Sequence, residues 1–76
     1  MKKIKINYEV IDESSNEHCK VGDYVQVIFD DGISIRTLKG YISDKIDFGV
    51  LAIEDKHKEI TFIEIYKINK IEKVLP

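Results

Sequence analysis

Tyr24-Val25-Gln26-Val27-Ile28-Phe29 runs directly into Asp30-Asp31-Gly32. Val25, Val27 and Phe29 share one side of an extended chain, and Tyr24 and Ile28 share the other with Gln26. That two-residue period is the signature of a β strand, and apolar residues on both sides predict that the second face is also partly covered. Asp-Gly after such a run predicts a tight hairpin, because Gly accepts the positive φ that the turn needs. Ile33 to Ser43 then reads as the return strand, with Gly40 inside it marking a bulge or a sharp bend. Strongly bent strands are how a small sheet closes on itself.

The same rhythm continues towards the C-terminus. Asp44-Lys45-Ile46-Asp47-Phe48-Gly49 reads as a turn, Val50 to Glu54 as a short apolar strand, and Asp55-Lys56-His57-Lys58 as a polar turn. Ile60, Phe62, Ile63 and Ile65 resume the apolar pattern. The spacing of Ile65, Ile68 and Ile71 predicts a short 3-10 turn near 63–67 and a final strand from Ile68 to Val74. Towards the N-terminus, Ile4, Ile6, Tyr8 and Val10 alternate with Lys3, Lys5, Asn7 and Glu9, predicting a half-buried strand. Residues 11–20 read as a polar loop, long for a tight hairpin. That first strand either closes its own sheet or pairs as an edge between subunits.

Composition agrees with this reading. Fourteen isoleucines stand against three leucines and one alanine, and β-branched side chains favour strands over helices. With 76 residues and 8.8 kDa the chain is expected to be one domain, 1–76, with a thin core and no room for a nucleotide-binding α/β sheet. The formal charge is −2 and no segment carries a strong positive excess, which weakens the counterion-release contribution to nucleic-acid binding and disfavours anionic membrane surfaces. A single cysteine, Cys19, excludes an internal disulfide and points to a cytoplasmic protein.

Few residues suggest catalysis. His18 and Cys19 are adjacent, so their side chains point apart in an extended segment, and no spacing links Cys19 to His57 as nucleophile and base. His18, Cys19 and His57 lack the spacing of a zinc site, so neither metal nor cofactor is expected. The acidic pairs Asp12/Glu13, Asp30/Asp31 and Glu54/Asp55 fall in turns, where Asp serves the backbone. The four glycines form no phosphate cradle. What remains is surface recognition: Tyr24, Tyr41, Phe48 and Tyr66, with Arg36, Lys39, Lys45 and Lys67 nearby in sequence, are aromatics beside cations of the kind that contact partners or stack on bases.

Val21-Gly22-Asp23-Tyr24-Val25-Gln26-Val27, then Gly32, then Gly40-Tyr41-Ile42, resembles the opening of many SH3-like barrels, including the KOW type. From Val25 to Glu72 the chain is similar to the Sm-like pattern: Gly32 in the first turn, Gly40 in the bent strand, Asp47 in the next loop, then Val50-Leu51-Ala52-Ile53. Ile60 to Ile68 resembles the last hairpin of the bacterial Sm-like RNA chaperones. Asp31 to Ile65 is also similar to the YolD-like family of small bacterial proteins, a resemblance that implies an accessory role beside SOS-type DNA polymerases. The Sm-like resemblance implies a uridine site at Asp47. However, no Asn follows Asp47 in its loop, no Arg-Gly is present, and Lys67-Ile68 stands where the chaperones carry Lys-His.

The sequence therefore predicts an all-β, five- to six-stranded SH3-like or Sm-like barrel with a short 3-10 turn before the last strand. The expected function is that of a non-enzymatic binding module from a bacterium, acting on a protein or nucleoprotein partner through an exposed strand edge and an aromatic rim. Its contact residues are expected among Tyr24, Arg36, Lys39, Tyr41, Asp47, Phe48, Tyr66 and Lys67. One alternative is an Sm-like homo-oligomer binding single-stranded RNA near Asp47, Phe48 and Lys67. Another, resting on small size and acidity, is a mobile-element regulator or inhibitor of a host factor.

Overall fold

A computed structural model describes residues 9–44 and 49–76. Within them the chain is all-β, with one 3-10 turn. The strands are β1 (Glu9–Asp12), β2 (Glu17–Lys20), β3 (Tyr24–Asp30), β4 (Ile35–Ile42), β5 (Val50–Glu54), β6 (Ile60–Glu64) and β7 (Ile68–Lys73), with the 3-10 turn at Ile65–Lys67. β1 and β2 form a two-stranded sheet; the others form a five-stranded sheet in the order β6-β5-β4-β3-β7. The pairs that make up both sheets are all antiparallel. Among the described residues no helix is long and apolar enough to cross a membrane.

β3 lies between β4 and β7. Its inward residues Val25 and Val27 are fully buried and Phe29 nearly so. They pack with Ile42, Leu51, Ile53, Ile63 and Ile71, one or two from each other strand of the large sheet. The other face of β3 is half-buried, as its apolar Tyr24 and Ile28 predict. β5, the polar turn after it, the 3-10 turn and β7 also fall where the sequence pattern puts them, to within two residues.

Four expectations are corrected. The chain has seven strands among the described residues, more than five or six. Residues 11–20 are not a loop: they complete β1, turn at 13–16 and form β2. Asp12 builds that turn, its carboxylate accepting bonds from the Ser14 amide at 3.1 Å and the Ser14 hydroxyl at 2.6 Å. Asn16 takes the left-handed φ of 57° that Asn tolerates better than most residues. Cys19 is a wholly buried member of the core rather than a loop residue.

The fourth correction concerns Gly40. β4 pairs with β3 in one unbroken register from Asp30↔Ile35 to Tyr24↔Tyr41, so there is no bulge at Gly40. The register shift lies instead in β7, opposite Ile28 and Phe29. Gly40 is needed because β5 crosses close by: a Cβ there would run into the Glu54 carbonyl oxygen and stand 2.7 Å from Ile53 Cγ2. The Asp-Gly turn also differs in detail. Asp31 to Ser34 form a four-residue connection, in which Asp31 Oδ1 accepts from the amides of Ile33 and Ser34 at 2.9 Å each. Gly32 holds φ at 95°.

These two glycines are required for different reasons, and alanine substitution separates them. Gly40→Ala should cost about 1–3 kcal/mol, as overpacking against backbone does. Gly32→Ala has open space but an unfavourable φ, and should cost about 1–2 kcal/mol. Urea midpoints of the two variants against wild type provide the check, together with loss of the β4–β5 amide protection in Gly40→Ala alone.

Candidate functional site

The eight residues expected at a contact surface are divided by the fold. Tyr24 and Tyr41 are register partners on the face opposite the core, and their rings pack edge to face with centroids 4.9 Å apart. Lys39, two residues before Tyr41 and paired with Gln26, shares that face. Arg36 has the opposite parity: its guanidinium lies 5.6 Å from the centre of the Phe29 ring and 3.8 Å from Asp31. Tyr66 and Lys67 sit on the 3-10 turn, which leads into Ile68 opposite Phe29, the far end of β3 from Tyr24. Asp47 and Phe48 lie outside the described residues, as does Lys3 to Tyr8 of the expected first strand.

Around Tyr66 the groups are tied together. Its hydroxyl donates to the Glu64 carboxylate, which raises the tyrosine pKa and lowers that of Glu64. Lys67 Nζ reaches the same carboxylate at 3.6 Å and stands 5.8 Å from the Tyr66 ring centre. This leaves Tyr66 79% exposed but held by its hydroxyl. The candidates for catalysis are not gathered. Cys19 is buried, and that burial pushes its thiol pKa up, so it is held protonated and poorly nucleophilic. His18 faces solvent, its ring nitrogens 3.4 Å from Glu9 and Asn16 oxygens, and His57 lies on the exposed turn after β5. No cluster of metal-ligating side chains exists among the described residues.

The two edges of the large sheet are treated differently. On β7 the outward amides of Ile71 and Lys73 donate to Asp12 Oδ2 at 3.2 Å and Glu17 Oε1 at 3.0 Å. The β1–β2 hairpin thus closes this edge with two carboxylates instead of a ladder. On β6 no strand pairs with the outer side among the described residues. The Ile65 amide bonds the Gly49 carbonyl at 2.9 Å, and antiparallel alternation then turns the N–H and C=O groups of Ile60, Phe62 and Glu64 away from β5.

Edge strands are usually blunted by charge or proline. Residues 35–40 of β4, whose outer side meets no strand among the described residues, carry Arg36 and Lys39, but β6 is Ile-Thr-Phe-Ile-Glu, with one charge at its end. Phe62 is 59% exposed there, opposite the fully buried Ala52. Tyr24, Tyr41, Glu54 and Ile60 form one row across the sheet, so the tyrosine pair and the β6 edge share a face. Sequence reading missed Phe62, because an alternating strand looks alike at an edge and in the middle of a sheet.

No protein family, curated protein or solved structure matches this chain.

The carboxylates that close β7 predict an acid dependence. Bonds from Ser14 and from the Ile71 amide hold Asp12 below its ordinary value, and amides of Ser34 and Ile33 do the same for Asp31. Carboxylates lowered on folding stabilise the fold fully above their unfolded value of about 3.9, and lose that contribution as pH falls through the folded values beneath it. Asp12→Asn should therefore lower Tm at pH 7, and the gap to wild type should narrow below about pH 4. A constant gap down to pH 2, a value well below the ordinary carboxylate range, would show that charge on Asp12 is not what holds the hairpin.

Proposed function

We propose that this chain is a non-enzymatic binding module that works through the open β6 edge and the aromatic face beside it. In this reading the meander β3-β4-β5-β6, the 3-10 turn and the return of β7 to β3 make an SH3-like open barrel. The edge takes a strand of another chain in antiparallel addition, and the Tyr24–Tyr41 pair with Lys39 contacts the partner. Backbone pairing supplies affinity in such complexes and alternate side chains supply selectivity. One observation carries the reading: Ile60 and Phe62 direct outward backbone groups that no strand among the described residues pairs, from a strand with no charge in its interior. Buried and protonated Cys19 and the scattered histidines support the non-enzymatic part.

The Tyr66–Lys67 pair favours a second reading, single-stranded RNA binding, since an exposed aromatic beside a lysine suits base stacking. It ranks lower because Glu64 already occupies that lysine and repels phosphate. A ring of subunits joined head to tail also needs two different free edges, and the β7 amides of Ile71 and Lys73 are taken by Asp12 and Glu17.

Affinity capture followed by reciprocal capture of the identified protein tests the proposal. The partner should be retained in high salt and lost with Phe62→Lys or Tyr41→Ala, each folded by circular dichroism. Undiminished capture by both variants overturns it. Oligonucleotide binding that falls steeply with salt and weakens with Lys67→Ala would put the RNA reading in its place.

A further inference from the structure

The occupant of the β6 edge is written in the edge itself. We infer that it is a second copy of this chain, joined by antiparallel β6–β6′ pairing about a twofold axis at Thr61; this rests on the reading of β6 as the interacting edge.

The outward groups of Ile60, Phe62 and Glu64 restrict the registers that self-pairing can use, because only these residues exchange bonds with a neighbouring strand. Centred on Phe62, the pairing sets Ile60 against the charged Glu64 of the other copy. Centred on Thr61, it sets Ile60 against Phe62 in both halves, and an apolar pair of a β-branched and an aromatic residue is favourable in a sheet. The same register leaves Glu64 opposite the turn that precedes β6, clear of both apolar pairs. Ile60 and Phe62 are thus their own antiparallel complement.

At the axis Thr61 meets Thr61, a pairing that also occurs favourably across strands. The result is an isologous interface, which closes at two copies and leaves no free β6 edge. Two five-stranded sheets become one continuous sheet, and both Tyr24–Tyr41 pairs lie on the same side of it. The interface is short, since only residues 60–62 of each β6 face each other in this register, so the dimer forms at high protein concentration and dissociates on dilution.

Light scattering on a sizing column across a dilution series is the test. The mass should approach twice 8.8 kDa at high concentration and fall towards one copy on dilution. Phe62→Lys should raise the dissociation constant about tenfold or more, as loss of a central aromatic does. Thr61→Cys fixes the register: residues across a non-hydrogen-bonded pair have Cα atoms about 4.5 Å apart, within the disulfide range, so mild oxidation should give a covalent dimer. A dimer that persists unchanged in Phe62→Lys overturns the inference, as does crosslinking of Phe62→Cys in place of Thr61→Cys. Hydrogen exchange separates the two readings if wild type is monomeric throughout. Fast exchange of the Ile60 and Phe62 amides then removes self-pairing and keeps the open edge; protected amides in the monomer remove both.

Discussion

The strands of the large sheet are placed by the double pairing of β3. One side of the strand takes β4 and the other takes β7, so residues 25–29 are bound to residues some forty positions later. The inward side chains of β3, Val25 and Val27, are wholly buried. Burying each is worth about 1.5–3 kcal/mol, and a domain this small has little else to draw on. The 3-10 turn at Ile65–Lys67 follows from this constraint. It lets the chain leave the β6 edge and return to β3, and the cap amide of Ile68 bonds Ile65 to close it.

The constraint also creates two edges, and they are finished by different means. β7 is closed by a hairpin that offers carboxylates where a strand would offer carbonyls. A charged acceptor makes a stronger bond to a backbone N–H than a neutral one, so Asp12 and Glu17 suffice to satisfy Ile71 and Lys73. Cys19 anchors the same hairpin by packing its side chain into the core. β6 receives no such cover among the described residues, and its apolar outer side stands beside the tyrosine pair. That asymmetry among the described residues is the reason the proposed interface is set on β6.

Much of the sheet was legible locally. The two-residue alternation in β3, the short apolar run of β5, the Asp-Gly turn and the isoleucine spacing around the 3-10 turn each report a short-range preference of the chain. The hairpin at 9–20 was not legible in the same way. Its polar residues look like a loop because their acceptors serve backbone amides 56 and 59 positions away, and Cys19 is its one fully buried residue. Gly40 was recognised as special, but the bulge offered as one reason for it is absent: a glycine in a strand signals close approach or a bulge alike, and only the path of β5 distinguishes them.

The candidate surface divides along the same line. Sequence alone singled out Tyr24, Tyr41, Tyr66 and Lys67 as candidates, as aromatics and a cation near one another along the chain. It also determined strand periodicity and turn chemistry, because both are set by residues within a few positions of each other. Tertiary structure decided which aromatics meet, that Arg36 turns to Phe29 instead of joining Lys39, and that Phe62 stands at an edge. Those facts depend on strand order, and strand order is a property of contacts between distant segments. No local preference encodes whether a strand has one neighbour or two.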